Sequence, residues 1–256
     1  MSFRQLLQRW RGVVLCLVGV VATLWLGATG GLALYIHPRY FVFTVVMAVI
    51  AAVLVLAAFA IVPAREHSHE RHGHEQADSH QRRRRLTGAG SGLIIAAAVT
   101  ALLVLPPSTL STATVTQRGM NGSTSALPKA DTAKLVGADN SSFTFRDWVS
   151  LLQQGAGTQY LEGKQATVSG LVTPDKSDPE NVFFVARFVV TCCAVDAQPI
   201  GLPVYRPGWK TQFQPDSWVE VSATFRANPN TGGNERTVLI PTTIIPIERP
   251  AEPYVY

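Results

Sequence analysis

The chain has 256 residues, of which 47% are hydrophobic and 15% are charged, with a formal net charge of +5 at pH 7. Soluble domains are about one-quarter charged, so this composition argues against a wholly soluble protein. Three cysteines are too few for a disulfide scaffold. The positive charge is no nucleic-acid face, because four arginines at 82–85 stand directly before an apolar segment, as membrane topology signals do.

Two long uncharged segments follow a basic N-terminus of residues 1–11. They occupy 12–36 and 40–62, and each exceeds the roughly 20 residues that a helix needs to cross a bilayer. The linker between them is very short, so we predict a helical hairpin. A third, weaker segment at 86–107 is rich in small residues and predicts a third transmembrane helix. The alternative for this segment is a flexible Gly/Ala linker.

The arginines predict the orientation of these spans. Arginines precede the first span and fill the loop at 63–85, whereas the turn between the first two spans contains Arg39 alone. The positive-inside rule then places the N-terminus and this loop in the cytoplasm. With three spans, the rest of the chain is extracytoplasmic, at the plasma membrane. If the third segment does not cross, the C-terminal part is cytoplasmic.

The loop at 63–85 concentrates histidine. Imidazole is a common ligand for zinc, copper and nickel, so a transient site for a divalent metal ion is one interpretation. A solvated linker with incidental histidines is the other, because the signal is compositional. The histidines concerned are His67, His69, His72, His74 and His80.

A Ser/Thr/Gly-rich linker at 108–140 precedes a domain at 141–256. A capping-box pattern from Thr144 to Asp147 predicts a short amphipathic helix at its start. Five strands follow, predicted at 165–172, 182–191, 200–205, 218–225 and 237–247. The fold class is therefore a membrane α-helical part plus a mainly-β domain, an OB-fold-like small barrel with one N-terminal helix. A small sandwich has nearly the same pattern.

Two adjacent cysteines, Cys192 and Cys193, end the second predicted strand, and Asp196 follows. A regular strand would turn Cys192 inward and Cys193 outward. Three interpretations stay open: a strained vicinal disulfide, a site for a thiophilic divalent ion such as zinc with Asp196 as third ligand, and two buried, unreactive thiols. No histidine follows His80, so a Cys–His catalytic pair within this domain is excluded, and we predict no enzymatic activity.

Three motifs carry a family resemblance: Tyr35-Ile-x-Pro38-Arg39, the Pro106-Pro107 pair, and the stretch from Arg187 through Cys192, Cys193 and Asp196 to Gln198, Pro199 and Gly201. The chain resembles the YcgQ-like family of bacterial membrane proteins, whose biochemical function is not established. The resemblance implies an accessory subunit that acts with a multi-span permease encoded nearby. The Cys-Cys-x-x-Asp turn would then contact substrate, metal or partner, supported by Arg187, Gln198, Pro199 and Gly201. The expected partners are this permease and the lipid bilayer, with no nucleic acid.

Overall fold

A computed structural model describes residues 3–61, 97, 100, 110–122, 140–154 and 158–256. The chain divides into two compact units. One consists of Met1–Ala33 and Pro38–Ser108, and the other of Leu34–His37 and Thr109–Tyr256. The predicted histidine-rich loop and nearly all of the predicted third span lie outside the described residues.

Two helices, α1 (Phe3–Ala28) and α2 (Phe41–Ile61), form the described part of the first unit. Within the described ranges, one helical stretch, Pro38–Ala58, is long and apolar enough to cross a membrane by length and composition. The apolar part of α1, Gly12–Ala28, is shorter. The helix α1 ends before the predicted boundary at residue 36, because Gly30 adopts a positive φ of 76° and a 3₁₀ turn follows.

Three short α-helices lie among the described residues of the second unit: α3 (Thr112–Arg118), α4 (Phe145–Gln153) and α5 (Thr158–Leu161). The predicted capping box of α4 is confirmed: the Asp147 backbone N–H donates to the Thr144 hydroxyl, and the Thr144 N–H donates to the Asp147 carboxylate. The helix α4 buries Trp148 and Leu151 in the main core.

The described residues of the second unit are mainly β, as predicted, but they form six strands rather than the predicted five. The first four pairings are antiparallel, β1–β2, β1–β4, β2–β3 and β4–β5, while β3–β5 and β2–β6 are parallel. The pairings of β1 to β5 form a cycle, in which β3 and β5 meet at one residue pair, Val204 and Leu239. The strands are β1 (Gln165–Pro174), β2 (Val182–Val189), β3 (Gln198–Tyr205), β4 (Trp218–Ala227), β5 (Thr237–Ile247) and β6 (Tyr254–Val255).

Strand β2 is buried on both faces. Phe183 and Val185 contribute to the main core, whereas Phe188 packs in a second cluster with Tyr254 and with Val115 of α3. The outer face of β2 is thus covered by α3 and by the C-terminal strand. The structure therefore differs from the flexible linker predicted for 108–140, since its described start forms α3. A single buried residue, Val115, anchors this short helix, which explains why periodicity did not reveal it.

Candidate functional site: a two-thiol loop

The loop that follows β2 carries both adjacent cysteines, and Asp196 shapes it. One carboxylate oxygen of Asp196, Oδ2, accepts the backbone N–H groups of Cys192 (2.7 Å) and Cys193 (3.1 Å). The other, Oδ1, accepts the N–H of Thr191 at 3.0 Å. These three donors would extend the sheet if the strand continued. Because they turn to one carboxylate instead, β2 ends at Val189 and the chain enters a 3₁₀ turn at Ala194–Asp196.

This turn brings the two thiols together. The Sγ atoms of Cys192 and Cys193 and a carboxylate oxygen of Asp196 all lie within 4.8 Å of one another. Adjacent residues of a regular strand would point to opposite faces. The prediction that Cys192 points inward is wrong: Cys192 is exposed and Cys193 is half-buried, both as free thiols. The interpretation of two buried thiols therefore fails for Cys192.

A distant segment, residues 34–37, pairs with the thiol loop through backbone hydrogen bonds. Ile36 and Cys193 form an antiparallel bridge. The His37 N–H donates to the Cys192 carbonyl at 3.0 Å, and the Ala194 N–H donates to the Tyr35 carbonyl at 2.8 Å. The backbone of the loop is thus held on both sides. Sequence reasoning missed this pairing, although the Tyr35-Ile-x-Pro38-Arg39 motif was the signal that could have indicated a role for the segment.

The motif residues after Asp196 hold the other end of the loop. The Gln198 side-chain amide donates to the Asp196 carbonyl at 3.2 Å. The Asn121 side chain brackets Gly201, accepting from its N–H at 2.9 Å and donating to its carbonyl at 3.0 Å. The Asn121 N–H also donates to the Pro199 carbonyl at 3.1 Å. These contacts fasten the beginning of β3 to the segment after α3, a role of Asn121 that no sequence pattern indicated.

Arg187 lies apart from the thiols. Its Nε donates to the Ser169 carbonyl at 2.8 Å, and its Nη2 donates to the Ser169 hydroxyl at 2.9 Å. Its guanidinium carbon lies 5.6 Å from the centre of the Trp218 ring. Arg187 therefore links β2 to β1 and does not activate either cysteine.

The surroundings of Cys192 disfavour loss of its thiol proton. The pKa of the Cys192 thiol is raised by partial desolvation, then by a hydrogen bond with Cys193 and by the nearby charges of Cys193 and Asp196. A nucleophilic cysteine needs the opposite shift, since the thiolate is the reactive species. The thiolate is also the form that binds metal, so a metal ion at this loop would have to displace the thiol proton.

The geometry of the thiols fits a thiophilic metal ion. Zinc–sulfur bonds of about 2.3 Å in a tetrahedral site imply a separation of roughly 3.8 Å between two sulfur ligands. The two Sγ atoms lie within 4.8 Å of each other, a limit that admits this separation. Asp196 is a weaker candidate metal ligand than its position suggests. Its carboxylate already accepts three hydrogen bonds from backbone N–H groups, which occupy most of its roughly four lone-pair directions. We therefore regard Asp196 mainly as the residue that positions the thiols.

Family models match nearly the whole chain. One described as the DUF1980 N-terminal domain matches residues 10–121, and one described as the DUF1980 C-terminal domain matches residues 123–256. The chain belongs to the DUF1980 family. This membership is consistent with the YcgQ-like resemblance. No curated protein and no solved structure matches the chain.

The residues that form the thiol loop and those that hold it fall in different DUF1980 matches. Cys192, Cys193 and Asp196 lie in the C-terminal match, whereas residues 34–37 and Asn121, which hold the loop and its exit strand, lie in the N-terminal match. The described thiol site therefore contains residues matched by both DUF1980 models, all of them within the second compact unit.

Proposed function

We propose that the chain is a membrane-anchored accessory subunit of a permease, whose β domain binds a thiophilic divalent metal ion, such as zinc, at Cys192 and Cys193. The observation that carries this proposal is the convergence of the two thiols and the Asp196 carboxylate within 4.8 Å on an accessible loop. The permease role is suggested by the YcgQ-like resemblance. The domain itself is proposed to be an OB-like barrel, which the cyclic pairing of β1 to β5 supports.

The proposed topology has three spans, with the N-terminus in the cytoplasm and the β domain outside. The pairing of residues 35–37 with the thiol loop supports it, because the connection between α1 and α2 then lies on the same side of the bilayer as the domain. After that connection the chain crosses once through α2. It must cross again before residue 110, and the uncharged segment at 86–107 is the stretch available for that crossing.

The metal proposal is tested on the full chain purified in mild detergent. We expect one zinc ion per chain, bound in competition with a colorimetric chelator, and loss of this binding in the Cys192→Ser/Cys193→Ser variant. Cys16→Ser is the matched control, since Cys16 lies in α1 and it should leave binding unchanged. Equal zinc binding by the wild type and the double variant would refute the metal site.

The partner proposal has its own test. Val195 lies in the 3₁₀ turn between the cysteines and Asp196, and it is 83% exposed. We expect the wild-type chain to co-purify with the permease encoded nearby, and Val195→Lys to reduce co-purification without changing zinc binding. Purification of the wild-type chain alone under mild detergent would contradict the accessory role.

Topology is tested by thiol labelling of intact cells. In the Cys16→Ser background, a membrane-impermeant maleimide should label Cys192, because this thiol is exposed. Labelling that occurs only after cell lysis would contradict an extracytoplasmic domain.

A thiol redox switch is the second candidate function, favoured by two free cysteines that are adjacent in sequence. Adjacent α-carbons are about 3.8 Å apart, below the usual range of disulfides, so a bond between them would be strained and easily reduced. Intact-mass measurement after mild oxidation distinguishes this candidate. A redox switch forms the disulfide and its mass falls by two hydrogens, whereas thiols bound to zinc are protected and the mass of the chain does not change.

A further inference from the structure

A separate cavity lies beside the second core cluster of the β domain. Its volume is about 410 Å³, within the range of small-molecule sites. Its apolar walls include Leu171, Phe188 and Tyr254, and Trp218 lies beside Arg187 at one side. None of the thiol-loop residues lines it, so the cavity is distinct from the site described above.

Arg187 provides a half-buried positive charge on the cavity lining, whereas the other cation there, Arg249, is exposed. Its Nε and Nη2 donate to Ser169, but no hydrogen bond or ion pair engages Nη1, and no carboxylate pairs with the guanidinium within the described parts of the chain. A half-buried guanidinium without an anionic partner is unusual, because burial removes water that would otherwise solvate the charge. The pKa of Arg187 is lowered by this burial, in agreement with an uncompensated charge.

The acidic groups on the cavity lining, Asp216 and Glu248, form no direct ion pair with Arg187 within the described parts of the chain. The Asp216 carboxylate accepts the backbone N–H of Thr112 at 2.7 Å, and so caps the start of α3. Glu248 and Arg249 are exposed on the lining and offset each other in charge. The remaining requirement is an anion that reaches the guanidinium from the cavity side.

We infer that this cavity binds a small organic carboxylate whose apolar body lies among Leu171, Phe188 and Trp218. A carboxylate matches the planar, multi-donor guanidinium better than any other common biological anion except phosphate. The apolar and aromatic walls favour an uncharged hydrocarbon or aromatic portion over a phosphate group, which is hydrated on all sides. The inference does not depend on the proposed metal function.

The test uses the full chain in detergent and a matched pair of probes, 4-fluorobenzoate and its neutral analogue 4-fluorobenzamide, followed by ¹⁹F NMR with empty micelles as blank. We expect the benzoate to bind about tenfold more tightly, as the loss of a charge-assisted hydrogen bond predicts. Arg187→Gln should remove this preference. Equal affinity for the two probes, or an unchanged preference in a folded Arg187→Gln variant, would overturn the inference.

Arg187→Gln could disturb the fold, because Arg187 joins β2 to β1, so a surface variant gives an independent result. Glu248→Gln removes an exposed negative charge from the lining and should tighten benzoate binding about two- to threefold. Glu162→Gln is the control, since Glu162 is exposed and does not line this cavity. Weaker benzoate binding in Glu248→Gln would mean that the cavity prefers a cationic or zwitterionic ligand, which contradicts the inference.

Discussion

Asp196 offers the sharpest test of how the thiol loop is built. Asn at this position has the same shape but keeps one acceptor oxygen and directs an amide N–H₂ toward the N–H of Thr191 or of the two cysteines. Hydrogen bonds to a charged acceptor contribute about 1 kcal/mol more than neutral ones, and two would be weakened in this way. The third hydrogen bond is lost, because the Asn N–H₂ would face a backbone N–H and both groups are donors. This costs about 1 kcal/mol where water has access. The expected loss for Asp196→Asn is therefore about 2–3 kcal/mol.

The assay compares metal-free proteins in detergent by denaturant unfolding, with tryptophan fluorescence as the readout. Asp216→Asn is the matched control, because the Asp216 carboxylate accepts one backbone N–H, that of Thr112, and should lose less than about 1.5 kcal/mol. Hydrogen exchange adds local information: the Cys192 and Cys193 amides should lose protection in Asp196→Asn. If the metal-free variant unfolds as the wild type does and keeps this protection, Asp196 is a metal ligand only, and our account of the loop is wrong.

Three further predictions concern the β domain, each measured by the same unfolding assay. Gly170→Ala should cost about 2–4 kcal/mol, because an added Cβ would lie 2.5 Å from the Ala186 carbonyl oxygen, which is fixed by the sheet. Thr144→Ala should cost about 1 kcal/mol by removing the capping box of α4. Glu235 has a pKa raised by burial and then by the charge of Asp175. Its folded form holds the proton more tightly, so its contribution to stability is present in acid and is lost as the pH rises through the folded pKa; Glu235→Gln should flatten the pH dependence above about pH 4.

Local patterns predicted the elements of the β domain well, and their ends less well. The bounds predicted for β5, 237–247, agree with the structure, although Pro241 and Pro246 interrupt the pattern. The helix α4 follows from its capping box and apolar spacing, both local signals. The end of β2 was placed two residues too late, because the Asp196 side chain, not strand propensity, determines where sheet pairing stops.

The contacts that complete the site lie beyond local patterns. The pairing of Ile36 with Cys193 joins residues far apart in the chain, and one sequence contains no measure of that proximity. The two hydrogen bonds between the Asn121 side chain and the Gly201 backbone also join residues far apart in the chain. The sequence could not predict them, since an asparagine in a polar segment indicates only a turn or linker. The motif around Cys192 predicts a functional site in this loop and stays a prediction, while the geometry that exposes Cys192 and brings the two thiols together required the fold.

The number of available ligands indicates what kind of metal site the loop can be. Structural zinc sites use four protein ligands, whereas open sites keep a position for another group. Here Cys192 and Cys193 supply two thiols. Asp196 has few lone pairs left for a metal ion, because its carboxylate already accepts three backbone N–H hydrogen bonds. The histidines at 67–80 would lie across the bilayer in the proposed topology, so they could not complete this site. Under the proposed function, a metal ion held by these two thiols would keep coordination positions for another donor, which would favour transfer of the ion over its permanent storage.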